Sequence, residues 1–318
     1  MPYRIASYNI ENMRNLFQKG AFVPEMRNRA DAIGRVIQSA APDILGVVEA
    51  DDKPAHHRHF LDEAGLSSKG YSFIKSEHKR SRQDLLFYYR PPFEPVAVDT
   101  HIDFYKQWIE DIDSDGIEEV CKFERKPLEV RFRHTESKVE LLVILIAVKS
   151  KGVFTVSDLV THQHLALANR KRQYAQAKKL RERMDELIVS EPDLPVIVLG
   201  DFNDEPGLDS VERMLGVSAL ETMMGSVFEP EKIFHNALAH MCKAPALKRE
   251  LWTTEYPDLI VQNLQKHKGW LDHILVSPNM LRPDCAARIV PASGRVAEKT
   301  EDARAASDHF MVYCDIEI

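Results

Sequence analysis

Short apolar runs that end in polar residues recur from one end of this chain to the other, and they bound what it can fold into. The longest unbroken run, Leu141 to Val148, has eight residues. A bilayer-spanning helix needs roughly 20. Apolar runs of this length, bounded by turn residues, read as strands buried on both faces. Ile44 to Val48 and Leu141 to Val148 fit that description; Tyr3 to Ile10, Leu85 to Tyr89, Leu128 to Phe132, Val196 to Leu199, Ile274 to Val276 and Met311 to Ile316 are further strand candidates, most of them short and apolar. Helical spacing appears at Ile33, Val36 and Ile37 within Ala30 to Ser39, before Pro42 interrupts it. A longer helical pattern runs from about Leu165 to Val189, with Ala177, Leu180, Met184, Leu187 and Ile188 on one side and many charges on the other. Strands outnumber helices, and several follow one another without an intervening helix. The expected class is a sheet-rich α/β (α+β) domain.

With 318 residues and 44% hydrophobic composition the chain can bury a substantial core. No repeat, Gly/Ser linker or low-complexity tract divides it, so a single domain over residues 1–318 is expected. The stretch from Ser218 to Lys268, with Pro230, Pro245 and Pro257, is the least patterned and reads as an insertion or surface excursion near the site. Cys121, Cys242, Cys285 and Cys314 are scattered without CxxC spacing, which points to neither a zinc site nor a disulfide framework and fits a reducing compartment. MPYRIASYNI enters a strand-like segment at once, without a basic stretch and apolar export segment, so a cytoplasmic location is expected. A formal charge of −7, from 42 basic and 49 acidic residues, argues against a protein whose main task is coating nucleic acid. A nuclease, however, needs only a local basic rim. Nothing in the sequence calls for an obligate protein partner.

Polar constellations follow several of the apolar runs: Asn9 in SYNIEN, Glu49 after Ile44 to Val48, Asp201 and Asn203 in GDFND, Asp272 in WLDHILVS, and Ser307-Asp308-His309. Strand ends can hold such groups rigidly where they converge. Hydrolysis of a phosphodiester at neutral pH needs an activated water, neutralised phosphoryl oxygens and help for the leaving oxygen. Hard oxygen ligands suit magnesium, which keeps several waters and needs only one or two carboxylates. On this reading Glu49, Asp308 and Asn9 hold the metal, Mg2+ or alternatively Mn2+. Asp201 orients or deprotonates water, and the Asn203 amide holds that water or donates to the phosphoryl group. His309 is the proton or hydrogen-bond donor, with Asp272 fixing its tautomer and raising its pKa. Arg125 and Lys149, near strand ends, are candidate substrate contacts.

Taken in order, YNIEN, DILGVVE, KPLEV (Lys126 to Val130), VKSKG (Val148 to Gly152), GDFND, LDHILVS and SDH resemble the endonuclease/exonuclease/phosphatase superfamily over nearly the whole chain. The resemblance implies a four-layer α-β-β-α sandwich of two mainly antiparallel sheets with a site at one rim. It implies a metal-dependent phosphoester hydrolase, with Asn9, Glu49 and Asp308 attending the metal and Asp201, Asn203, Asp272 and His309 doing the chemistry. Members of the family cut DNA, RNA, phospholipid headgroups and inositol phosphates. A phosphodiesterase or nuclease is the leading expectation, a lipid or inositol-type phosphoesterase the alternative, and a noncatalytic scaffold retaining the fold the alternative of another class. Bacterial members usually carry a histidine in an HxKSK-like pattern, where this chain has Ala147. Losing one transition-state donor costs on the order of 100-fold to 1000-fold in rate. A lineage that dispenses with the contact, a substitution made to trap substrate, and a degenerate enzyme are the competing explanations.

Other motifs are weighed against plainer readings. Asp111 to Gly116 imitates half of a calcium-binding loop, but the position that needs a bidentate Glu is Lys122, so an acidic surface turn is expected. His56, His57 and His59 read as a solvated helix start. The basic residues from Arg170 to Arg183 read as a solvated helix face with ion pairs, or as a steering surface. Tyr88, Tyr89, Trp108 and Trp270 are candidates for stacking bases or for packing.

Overall fold

The computed structural model describes residues 2–76, 83–153, 158–257 and 266–318. The first half forms β1 (Tyr3–Asn9), α1 (Arg27–Ala40), β2 (Ile44–Asp51), α2 (Pro54–Glu63), β3 (Ser72–Lys75) and β4 (Gln83–Tyr89). The second forms β5 (Phe93–Val98), β6 (Leu128–His134), β7 (Glu140–Ala147), α3 (Leu159–Ser190), β8 (Val196–Asp201), β9 (His235–Asn236) and β10 (Asp272–Val276). It ends with β11 (Arg288–Ile289), β12 (Arg295–Val296), α4 (Glu301–Ala306) and β13 (Val312–Glu317).

Two sheets result. One runs β11-β13-β1-β2-β4-β3, with β12 also beside β13; the other runs β9-β10-β8-β7-β6-β5. Each contains one parallel pair, β1 with β2 and β7 with β8, and its other pairs are antiparallel. Alternation along each strand builds the layers, because successive side chains leave opposite faces. Leu141, Val143, Leu145 and Ala147 of β7 join Ile5, Ile44, Leu85, Phe87, Leu199 and Ile274 between the sheets. Leu142, Ile144 and Ile146 point the other way, onto Ala177, Leu180, Met184 and Leu187 of α3. On the far side, Ala6, Tyr8, Leu45, Val47, Leu86 and Tyr88 meet Ile33, Val36 and Ile37 of α1. The layers are therefore helix, sheet, sheet, helix. Strands buried on both faces explain why the sequence shows continuous apolar runs rather than alternating ones. Among the described residues no helix is long and apolar enough to cross a membrane.

Several local expectations change. β5 was not legible, because Pro95 and Glu94 break the apolar pattern; it is an edge strand, where a missing N–H is tolerated. α3 begins at Leu159, before its apolar stripe, and the Asp158 side chain caps it by accepting from the Thr161 amide. His56 and His57 lie in α2 but are buried, not solvated. Nδ1 of His56 is 2.9 Å from Asp51 Oδ2, and His57 bridges the Tyr88 hydroxyl and the Asp51 carbonyl. The basic residues of α3 are largely committed to ion pairs: Arg170 with Asp209, Lys171 with Asp113 and Glu119, Lys178 with Glu110, and Arg183 with Glu129. They pin the helix to its neighbours. The Ser218 to Lys268 stretch contains short helices and an antiparallel hairpin, Thr254–Pro257 with Lys266–Gly269; residues 258–265 lie outside the described residues.

Candidate active site at one rim of the two sheets

Strand direction alone gathers the polar residues. β1 and β2 are parallel, so Asn9 and Glu49 lie towards the same edge. β13 runs antiparallel to β1, which brings Ser307-Asp308-His309, just before it, to that edge as well. In the other sheet Asp201 ends β8 and pairs in register with Asp272, the first residue of antiparallel β10. Facing of the sheets then joins the halves: the Asn9 side-chain amide donates to Asp201 Oδ2 at 3.2 Å.

The local backbone is specialised here. Gly200 has φ +141°, and a Cβ there would lie 2.0 Å from the Ile146 carbonyl oxygen, so only glycine can precede Asp201 in this strand. Glu49 has φ +59° and sits at a bulge in the β2–β4 pairing, where the register skips between Val48 and Ala50. It therefore does not end its strand, as its position in the sequence implied; β2 continues to Asp51. The bulge turns Glu49 out of the ladder. Asn203, at φ +49°, is another non-glycine residue held in the left-handed region. Concentration of such backbone at one rim is typical of functional sites.

Asp201 is buried and accepts from the Asn203 amide (2.9 Å), the Asn203 side chain (3.0 Å) and Asn9. Burial pushes its carboxyl up to about 6; His309 opposes that rise and Asp272 adds to it. Both hydrogens of the Asn203 amide nitrogen are used, on Asp201 Oδ2 and the Val148 carbonyl. Because both partners are acceptors, a flipped amide is excluded and Oδ1 is the outward atom. Asn203 thus presents an acceptor, which suits holding a water and not donating to a phosphoryl oxygen.

His309 Nδ1 lies 2.8 Å from Asp272 Oδ2, leaving Nε2 for the adjoining cleft. Burial disfavours the imidazolium, but the charge and hydrogen bond of Asp272, with Asp201 and Asp308 beyond, outweigh it and raise the pKa to about 10. Asp272 Oδ1 has no hydrogen-bond partner, so its charge leans on the imidazolium. Residues that sequence reasoning missed support the pair. Thr253 Oγ1 accepts from the Leu271 and Asp272 amides, and Ser307 Oγ donates to the Asn9 carbonyl while accepting from the His309 amide. Only Ser307 carried a signal, as part of SDH. His273, next to Asp272, is structural: burial lowers its pKa to about 4, and it bridges Asn236 and the Asp204 carbonyl.

Glu49 accepts from the Asn12 amide at 2.9 Å and Gln83 at 3.0 Å, and Arg125 approaches it at 3.4 Å. Asp308 is exposed, and its carbonyl accepts from Thr254 Oγ1 and the Glu255 amide. Burial, with the charges of Asp308 and Glu49, pushes the Glu11 carboxyl up, although Arg29 counters it. Carboxylates that crowd one another in this way, beside an amide oxygen of Asn9, form a hard donor set that fits a divalent cation. Asn9 Oδ1 accepts one hydrogen bond, from the Glu11 amide, and keeps a second lone pair. Among the described residues, three acidic groups converge within 4.8 Å at Asp111, Asp113 and Asp115 instead. That turn already holds Lys171, 2.8 Å from Asp113. Lys149 is half-buried, its amide donating to Gln176. Lys151 is enclosed by Asp204, Asp209 and Glu212. Ala147, where the family resemblance led to the expectation of a histidine, is buried and pairs in register with Asp201.

The aromatic candidates for stacking do not form a stacking surface. Tyr88 is fully buried, Trp270 is buried against His273, and Trp108 packs on Phe123; Tyr89 packs on Phe132.

The sequence pattern of the Endonuclease/Exonuclease/phosphatase family matches residues 6–309. The chain belongs to that family. Its members are metal-dependent phosphoester hydrolases, and this chain is an enzyme of that type. No curated protein matches it by sequence. Among solved structures, TDP2 from C. elegans has a TM-score of 0.57 and 13% identity, covering 100% of this chain and 76% of its own. The human nocturnin catalytic domain with bound sulfate has a TM-score of 0.56 and 18% identity, covering 99% and 94%. D. rerio TDP2 complexed with a single-strand DNA product has a TM-score of 0.55 and 15% identity, covering 100% and 99%. These likenesses establish the shared fold, a family sandwich of two mainly antiparallel sheets.

Proposed function

We propose that this family member is a phosphodiesterase that cleaves nucleic acid by metal-assisted water attack, using Mg2+ or, in its place, Mn2+. The observation that carries the reading is the pairing of two charge states at one rim. A carboxylate at Asp201, fixed by three N–H donors, faces an imidazolium at His309, fixed by Asp272. Pairs of titratable groups whose surroundings drive their pKa values apart mark acid and base assignments. Asp201 orients the water and accepts its proton, and Asn203 Oδ1 accepts the water's second hydrogen. His309 Nε2 donates to the phosphoryl or leaving oxygen, and Asp272 holds the ring in the required tautomer. A divalent cation attended by Glu49, Asn9 and Asp308 would neutralise charge on the phosphoryl oxygens. Arg125, 3.4 Å from Glu49, is the leading candidate for contact with the phosphate, and Lys149 is a weaker candidate for the same role.

The DNA product in the D. rerio TDP2 structure supports nucleic acid as the substrate class. The inter-sheet core, which draws on both halves of the sequence, supports one catalytic domain over residues 1–318. Four thiols without disulfides are in keeping with a cytoplasmic enzyme. The test is a panel of single-stranded DNA, plasmid DNA, RNA, bis-p-nitrophenyl phosphate, sphingomyelin and inositol phosphates, each with Mg2+ or Mn2+ and with Asp201→Asn as the blank. Cleavage of DNA or RNA together with the generic diester is expected. Cleavage confined to sphingomyelin or inositol phosphates, or of nothing, overturns the reading.

A further inference from the structure

A cleft of about 830 Å³ opens beside the rim, with Asn203, Asp308 and His309 among the residues that line it. Its apolar lining comes from Val153, Ala166, Leu208, Val211, Tyr256 and Leu271. Its size is that of a small-molecule site, within the roughly 300–1,000 Å³ range of ligand pockets.

Its charge is the informative property. Two side chains of fixed positive charge line it, Lys151 and Arg170. Lys151 is held by Asp204, by Glu212 at 2.6 Å and by Asp209 at 3.7 Å. Arg170 makes a bidentate pair with Asp209, Nε to Oδ1 at 3.1 Å and Nη2 to Oδ2 at 2.7 Å. Against them stand four lining carboxylates: Glu205, Asp209, Glu212 and Asp308. A phosphate would find no uncommitted lysine or arginine there; the exposed His162 and His309, which is held by Asp272 and assigned above to the scissile phosphate, are the remaining lining groups that can carry positive charge, against the four carboxylates. The apolar walls offer a different complement. Tyr256, whose ring centre lies 5.6 Å from that of His267, keeps 44% of its surface exposed.

Resting on the phosphodiesterase reading above, we propose that this cleft binds an uncharged planar ring, a nucleobase or aryl group, carried by the ester substituent on the His309 side of the scissile phosphate. The rest of a polyanionic substrate leaves in another direction, away from the lining carboxylates. Such a subsite selects among diesters by the group attached to phosphorus and gives no advantage to a second phosphate placed in it.

Calorimetric titration of the Mg2+-loaded protein with methyl phosphate, phenyl phosphate and thymidine 5′-monophosphate tests this, because ring burial in an apolar cleft is worth on the order of tenfold in affinity or more. Phenyl phosphate and thymidine 5′-monophosphate are expected to bind about tenfold more tightly than methyl phosphate. Leu208→Asp, at a half-exposed loop position, is expected to erase that advantage, and Tyr256→Ala to reduce it. Equal affinity for all three ligands in the wild type, or an advantage that survives both substitutions, overturns the subsite. Hydrolysis of bis-p-nitrophenyl phosphate, measured separately, reports on the phosphodiesterase reading: turnover without ring preference defeats only the subsite, and ring preference without turnover defeats only the catalytic reading.

Discussion

Asp272 Oδ2 lies 2.8 Å from His309 Nδ1, both residues buried, and this pair sets the charge state of the rim. Asp272→Asn keeps the shape but removes the charge that outweighs burial. The His309 pKa, raised to about 10 in the native protein, is expected to fall towards or below its ordinary value. The rate on a generic diester should drop on the order of 100-fold or more. In a pH–rate profile the basic limb, near 10 in the native enzyme, should move to near neutrality in the variant. An unmoved basic limb would remove His309 from the donor role.

In the proposed mechanism the acidic limb belongs to Asp201. Its carboxyl is pushed up to about 6 by burial, and it must be ionised to take a proton from water. Activity should therefore fall as pH drops through about 6, or lower where a bound cation adds positive charge. Because the folded-state pKa lies above the ordinary 3.8, protonating Asp201 favours the fold. The contribution of this group to stability is present at low pH and is lost as pH rises through 6, while activity rises. Opposite pH trends in rate and in this group's stability contribution, read by comparing melting curves of wild type and Asp201→Asn, are the expected signature.

Glu49 is the carboxylate turned out of its strand towards the rim. Glu49→Gln should raise the Mg2+ concentration for half-maximal rate at least about tenfold while the melting temperature without metal changes little. A metal dependence equal to that of the wild type would take Glu49 out of the metal set.

Ala147 stands beside Asp201 at the end of β7. Ala147→His should restore a donor to the phosphoryl group and raise turnover of a generic diester by roughly tenfold or more, against the 100-fold or greater value of such donors elsewhere. An unchanged rate in a normally folded variant would mean that this site works without the contact.

A prediction far from the rim concerns stability alone. Arg183 of α3 reaches Glu129 of β6 with two hydrogen bonds of 3.0 Å, and both side chains are 3% exposed; Tyr105 donates to the same carboxylate. Arg183→Met strands a buried carboxylate, and removing one partner of such a pair costs about 3–5 kcal/mol. Denaturant unfolding should show that loss, with the metal dependence of the surviving folded enzyme unaltered.

GDFND, LDH and SDH were legible in the sequence because each places its polar groups directly against an apolar run, so strand and site are encoded together. The two sheets were legible for the same reason, since strands buried on both faces leave continuous apolar runs. What escaped depends on pairing. The bulge at Glu49 exists only in register against β4, and nothing in DILGVVE marks it. Gln83 and Arg125 reach Glu49 across 34 and 76 residues of sequence. The burial of His56 and His57 depends on Tyr88, 31 residues from His57 in the sequence, which the fold brings to α2 alongside the nearby Asp51.

The most direct measurement is the rate of bis-p-nitrophenyl phosphate hydrolysis by chelator-treated protein before and after Mg2+ or Mn2+ is restored, for wild type and Asp201→Asn side by side. The account predicts no rate without metal, recovery with it in the wild type, and a loss on the order of 1000-fold or more in Asp201→Asn. A wild type that stays inactive with both metals, or an Asp201→Asn variant that recovers with it, would contradict the account.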